Sequence, residues 1–263
     1  MDAPPARVHY SDHVKPFLLL ATRADDAAAD NEYASFLAFS GLGEHDLRRL
    51  RLEQRALGDI DPRDWSGILL GGGPFNCTEP EPLKSPAQRR VEAELYSLLD
   101  RVIAADFPFL GACYGIGMIG SHQRAQVDRR YAEPVGCVSV TLTAQGGADP
   151  LLRGLPGRFD AFVGHKEAIS RLPGHAVLLA TSARCPVQAF RIGANVYATQ
   201  FHPELDADGL CTRIDVYKHA GYFAPDEADE VRTAAARSDV SRAPAVLRGF
   251  VTRYGQHRPA RAG

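Results

Sequence analysis

Short, unbroken apolar runs recur along the chain, with charged or glycine- and proline-rich stretches between them. Residues 17–22, 65–70 and 107–112 are apolar almost throughout, the pattern of strands buried on both faces. Between the second and third runs the period changes. Residues 88–105 place apolar side chains at 91, 95, 98, 99, 102 and 103, the spacing of an amphipathic helix. Asp30, Asn31 and Glu32 read as a helix start ahead of Tyr33, Phe36, Leu37 and Phe39, with Gly41 and Gly43 as stop signals. Strand, helix, strand, helix, strand in that order predicts a parallel sheet covered on both faces. Residues 52–57 are expected to add an edge strand and 61–64 a turn.

After Gln123 the pattern alters. Residues 135–143 are rich in β-branched side chains, and 158–163, 176–181, 187–192 and 195–201 are further short strands divided by Gly, Pro and Arg turns. Antiparallel hairpins are spaced this way. Beyond Leu205 the chain reads as mostly helical. The expected class is therefore α/β, a mostly parallel central sheet with an added antiparallel portion. Residues 1–16, with their prolines, read as a loose lead-in, 17–255 as a single domain, and 256–263 as a flexible tail.

Composition narrows the function. The chain has 263 residues, 45% of them hydrophobic, enough for a large core, and a net charge of −2. That charge offers no electrostatic argument for nucleic acid or for an anionic membrane surface. The longest apolar stretches are too short to span a bilayer, and the N-terminus lacks a basic-then-apolar signal pattern. The five cysteines are scattered, with no C-x-x-C pair, so neither a disulfide framework nor a zinc knuckle is indicated. No metal and no cofactor is expected, and a cytoplasmic protein with reduced thiols is.

Three stretches carry candidate chemistry. Cys113 stands where the buried run 107–112 turns into a helix. Such a turn lifts the sulfur clear of the sheet and sets it at a helix N-terminus that favours thiolate. Gly115 and Gly117 are expected to allow the sharp turn and a close approach of substrate. A free cysteine beside a strand is otherwise inert core. Gly71, Gly72, Gly73 and Pro74 end the strand 65–70, where backbone N–H groups can converge on one spot or merely turn the chain. Ligands of parallel sheets bind beyond the carboxyl ends of the strands, which puts this loop and Cys113 on the same edge. Finally, His202-Pro203-Glu204 ends a strand with a histidine and a carboxylate held at fixed spacing by proline. A cysteine nucleophile needs such a base, itself oriented by a third group. A histidine in a surface turn is the plain alternative, but these pieces occur together in one chain.

With Gly72-Gly73-Pro74, residues 111–115 (Gly-Ala-Cys-Tyr-Gly), Gly164-His165 and residues 200–204 (Gln-Phe-His-Pro-Glu), the sequence resembles the class-I, triad-type glutamine amidotransferases, above all stand-alone members similar to the glutaminase domain of GMP synthase. The resemblance covers roughly residues 17 to 205. It implies a flavodoxin-like three-layer sandwich with a Cys113–His202–Glu204 triad. Gly73 and Tyr114 would supply oxyanion N–H groups, while Gly72 and His165 would lie at the substrate edge. It further implies attack on the side-chain amide of glutamine, with ammonia released to a separate synthase or acceptor subunit. One departure concerns specificity: where the family usually has C-x-G-x-Q, this chain has Gly117, followed by Met118, and neither side chain donates an amide hydrogen bond. A γ-glutamyl compound hydrolysed by the same triad is the second reading, and a non-catalytic regulatory module the third. No G-x-x-x-x-G-K-[ST] loop is present, so no ATP site is visible.

Overall fold

Alternation along the first strand builds two cores at once. In the computed structural model, which describes residues 15–219, 221 and 223–255, Leu18 and Leu20 of β1 (Phe17–Ala21) face one apolar cluster, and Phe17 and Leu19 face another. Most of the expected lead-in and all of the expected tail lie outside the described residues. β1 pairs in parallel with β2 (Leu47–Arg51) on one side and β3 (Gly67–Leu70) on the other. Beyond β3 come β4 (Phe109–Ala112) and β11 (Val196–Thr199), also parallel. One face is covered by α2 (Pro86–Ala104), whose Val91, Leu95, Leu98, Leu99 and Val102 are buried as their spacing predicts, together with α3 (Tyr114–His122). The other face is covered by α1 (Asp26–Ser40) and α7 (Ala245–Tyr254), through Phe36, Val246, Leu247 and Phe250.

The second half supplies the antiparallel portion. From β11 the sheet continues through β10 (Ala189–Ile192), β9 (Val177–Ser182), β6 (Glu133–Leu142) and β7 (Arg158–His165), each antiparallel to its neighbour. β5 (Gln126–Asp128) and β8 (Ala168–Arg171) form a separate antiparallel pair. A short α4 (Ala144–Ala148) bridges β6 and β9, while α5 (Ala207–Tyr217) and α6 (Ala228–Ala236) close a third apolar cluster around Phe162. After β11 the chain makes one more bridge, His202 N–H to the Phe162 carbonyl at 3.0 Å. Among the described residues no helix is long and apolar enough to cross a membrane.

β5, α4 and β8 have no counterpart among the expected elements, and two expected ones are displaced. The edge strand lies at Leu47–Arg51, and residues 52–57 form the turn after it. Leu52 and Leu57 are buried all the same, so their apolar character reports a packed turn. α1 starts one turn earlier than the Asp30 signal, because Asp25 accepts from the Ala28 N–H at 2.9 Å and caps the helix.

Candidate active site

Register brings the three candidate stretches together. β4 is the middle strand of the three that end there: Leu70 of β3 sits opposite Gly111, and Thr199 of β11 sits opposite Ala112. The glycine loop after β3 and His202 after β11 therefore flank Cys113, the residue that follows β4. The Cys113 N–H donates to the Thr199 carbonyl at 2.8 Å, which extends the β4–β11 ladder by one residue.

Cys113 itself makes the sharp turn, with φ 52° and ψ −94°. For a residue with a Cβ this is strained backbone, of the kind concentrated at functional sites. The expectation that Gly115 and Gly117 allow the turn is thus corrected, since neither has a positive φ. The glycines that the site requires stand in the β3 loop. A Cβ on Gly73 would overlap Thr22 Oγ1, and the Thr22 hydroxyl donates to the Gly72 carbonyl at 3.2 Å. A Cβ on Gly72 would lie 2.8 Å from His202 Cε1 and 3.4 Å from Cys113 Cβ. Only a hydrogen atom fits between the thiol and the imidazole there.

His202 is buried, and its imidazole stands beside the Cys113 side chain across Gly72, while Cys113 Sγ lies 4.0 Å from the Gly164 carbonyl. Its Nδ1 lies 2.8 Å from Glu204 Oε1 and 3.0 Å from Arg213 Nη1. A carboxylate can only accept and a guanidinium can only donate, so the two neighbours make opposite demands. The nearer partner has the charge that suits an imidazolium and makes Nδ1 a donor, which leaves Nε2 for Cys113. Burial disfavours the imidazolium, but the Glu204 and Cys113 charges outweigh burial and Arg213, and push His202 up to about 9. Glu204 is fully buried; burial raises it, yet His202 and Arg213 together hold it well below the usual carboxylate range. Arg213 Nη2 bonds Glu204 at 2.9 Å, and Glu32 lies 3.8 Å away, itself paired with Arg23 at 2.8 Å. A thiol beside an imidazole tied in this way can attack a carbonyl carbon and return its proton to a leaving nitrogen.

Two chambers meet at Cys113, which lines both together with Gly73 and Gly164. Phe75, Tyr114, Gly117 and Glu167 line the first. Tyr114 is the first residue of α3, so its N–H has no partner within the helix. The expected His165 lines this chamber too, but its ring is engaged: Nδ1 lies 2.9 Å from the Glu167 carbonyl and Nε2 3.1 Å from Glu133 Oε2. With Cys185, Glu133 and His165 form a buried group whose donor atoms lie within 4.8 Å of one another, a set that can ligate a metal. Hydrogen bonds from His165 and from Gln188 at 2.9 Å already occupy Glu133 Oε2.

Of the two residues at the family's glutamine position, Gly117 faces this chamber and Met118 is core. A Cβ on Gly117 would lie 3.1 Å from both Glu167 Oε1 and Cys77 Sγ. Glu167 accepts from Cys77 N–H at 2.7 Å, Thr78 N–H at 2.8 Å and Thr78 Oγ1 at 2.7 Å, pinning the start of the 76–86 loop over the chamber. Burial first, and then Glu167, push the Cys77 thiol well up. Sequence reasoning did not find Arg213, Arg23, Glu32 or Glu167. The available signal for Arg213 is its place on the buried face of α5, between Leu210 and Ile214.

Comparison with known proteins bears on this site. The sequence model of the family described as glutamine amidotransferase class-I matches residues 44–209. A glutamine-hydrolysing GMP synthase of Aeropyrum pernix is 32% identical over 150 residues, 57% of this chain and 26% of that protein. This chain thus aligns with about a quarter of that relative's length. A glutamine-hydrolysing GMP synthase subunit of Methanothermobacter thermautotrophicus is 29% identical over 155 residues, 57% of this chain and 70% of that one. A crystal structure of a glutamine amidotransferase from Thermotoga maritima superposes with a TM-score of 0.73 at 21% identity, covering 92% of this chain and 99% of the other. At that identity the likeness speaks for the fold alone, which is the expected flavodoxin-like sandwich.

Proposed function

The chain belongs to the class-I glutamine amidotransferases, and from that premise we propose that it hydrolyses the side-chain amide of glutamine through a Cys113 thioester and releases ammonia to a separate acceptor enzyme. The observation that carries this reading is the placement of Cys113 beside His202, itself bonded to Glu204, at the ends of neighbouring parallel strands. The Cys113 thiolate attacks the amide carbon, and the developing oxyanion meets the N–H groups of Gly73 and Tyr114. Losing one such donor typically costs about 3 kcal/mol of transition-state stabilisation. His202, charged and held by Glu204, gives its proton to the leaving nitrogen. Water then takes the same path, with His202 as base, and frees glutamate.

A separate acceptor is supported by the relatives that are named as one subunit of GMP synthase. Gly117 favours a second reading, hydrolysis of γ-glutamyl amides other than glutamine, because no amide side chain is present there to hold the free amino acid. The test is ammonia release from L-glutamine by the purified protein. Release that disappears in Cys113→Ala supports the proposal; release unchanged in that variant, or none in the wild type, overturns it.

A further inference from the structure

Ammonia is a small leaving group and needs no chamber of its own. Yet the chamber on the α5 side of Cys113 is built for something larger. Its walls are apolar side chains of β7, α5 and the segments beside them, including Val163, Leu205, Ile214 and Phe223. Arg23 supplies one polar end. The guanidinium is almost wholly buried, at 4% exposure, and its nitrogens are assigned in turn. Nε holds Glu32 at 2.8 Å, and Nη1 donates to the Tyr217 hydroxyl at 3.2 Å. Nη2 has no hydrogen-bond partner among the described residues. It lies 3.0 Å from the point a Gly72 Cβ would occupy, the same point that is 2.8 Å from His202 Cε1 and 3.4 Å from Cys113 Cβ. A buried guanidinium with an unused donor beside the reacting pair is set to receive an acceptor close to the scissile bond. Glu32 neutralises its charge, so it selects by direct hydrogen bonding more than by long-range attraction.

We propose that this chamber binds the amine half of a γ-glutamyl peptide, an α-amino acid with an apolar side chain, whose carboxylate is held by Arg23 Nη2. The inference rests on the reading of Cys113 as the nucleophile of an amide-hydrolysing site and names the substrate class of that site. In such a peptide the carboxylate sits one carbon from the scissile nitrogen, which matches the closeness of Arg23 to Cys113. The glutamyl half occupies the other chamber, where Glu167 provides an acidic wall. In the reaction the Cys113 sulfur forms a thioester with the carbonyl carbon of the γ-glutamyl group as that carbon's bond to nitrogen breaks. The amino acid leaves with the His202 proton, and water completes hydrolysis to glutamate and free thiol.

The test compares kcat/KM of the wild-type protein on L-glutamine, γ-glutamyl-leucine and γ-glutamyl-isoamylamide, which keeps the apolar body and lacks the carboxylate. The expected order puts γ-glutamyl-leucine about tenfold or more above each of the others, the size of a hydrogen bond to a charged group. Arg23→Gln combined with Glu32→Gln removes the pair without leaving a lone buried carboxylate, and should bring the leucine-to-isoamylamide ratio close to one. Cys113-dependent hydrolysis of glutamine with no gain for γ-glutamyl-leucine overturns the inference and leaves the amidotransferase reading standing. Equal rates on the peptide and the isoamylamide overturn the role of Arg23. Hydrolysis of none of the three sinks both ideas. The wild-type comparison decides even if the double variant does not fold.

Discussion

Gly72→Ala tests the active-site geometry without touching any ionisable group. The backbone of Gly72 has no positive φ, so alanine brings no conformational strain of its own. What it brings is one methyl group, 2.8 Å from His202 Cε1, 3.0 Å from Arg23 Nη2 and 3.4 Å from Cys113 Cβ. Carbon atoms pack comfortably at about 3.5 Å, so the imidazole must retreat by roughly 0.7 Å. It cannot swing away freely, because Glu204 holds Nδ1 at 2.8 Å. Displacements near 1 Å in a reacting pair can lower rates about a hundredfold. For this one we expect a fall in kcat/KM of about ten- to a hundredfold, or about 1.4 to 2.7 kcal/mol in the barrier. The assay is amide hydrolysis, backed by the rate of Cys113 alkylation by iodoacetamide, which needs no knowledge of the substrate. Gly147→Ala, where nothing lies within 4 Å of the new methyl, controls for the glycine-to-alanine change. Activity within about twofold of wild type would refute the claim that thiol and imidazole meet over Gly72.

Two further outcomes follow from the same geometry. Burial opposes the His202 charge, and Glu204 is the strongest influence sustaining it near 9; in Glu204→Gln the imidazolium should therefore be lost at lower pH, and the alkaline fall in kcat/KM should move down from about pH 9, whereas a fall that stays in place shows another group to be titrating. Glu167→Ala removes three bonds to Cys77 and Thr78 and leaves two N–H groups without their partner, so the variant should lose about 1 to 3 kcal/mol of stability and be cut faster by protease within 76–86; unchanged melting and cleavage would show that Glu167 does not pin the loop.

How much of this could be read from the chain depends on whether burial is one- or two-sided and on whether the signal is local. Strands β1, β3 and β4 are buried on both faces and announce themselves as apolar runs. β2 is an edge strand with the sequence Leu-Arg-Arg-Leu-Arg, in which only Leu47 is fully buried. Arg49 and Arg51 pair there with Asp30 and Asp26 of α1, so hydrophobicity passes over it. Cys113 and His202-Pro203-Glu204 were legible because turn chemistry and strand ends are local. The buried charges Arg23, Glu32 and Arg213 were not, because a buried ion is tolerable only with its partners, and these charges come from β1's end, α1 and α5, and meet Glu204 at β11's end. Glu167 went unread for a related reason: its bonds run to backbone N–H groups of a loop far away in sequence.

The bridge between His202 and Phe162 has a consequence for the sheet as a whole. In the strand order β7 is the last strand, yet its Phe162 carbonyl is taken by the residue that follows β11. The antiparallel half therefore curls round until its end meets its beginning, and part of the hydrogen-bonding rim that would invite another chain is already occupied. The residue that performs this closure is the histidine placed beside the thiol. Guarding an edge against association and aiming a base are thus one backbone contact.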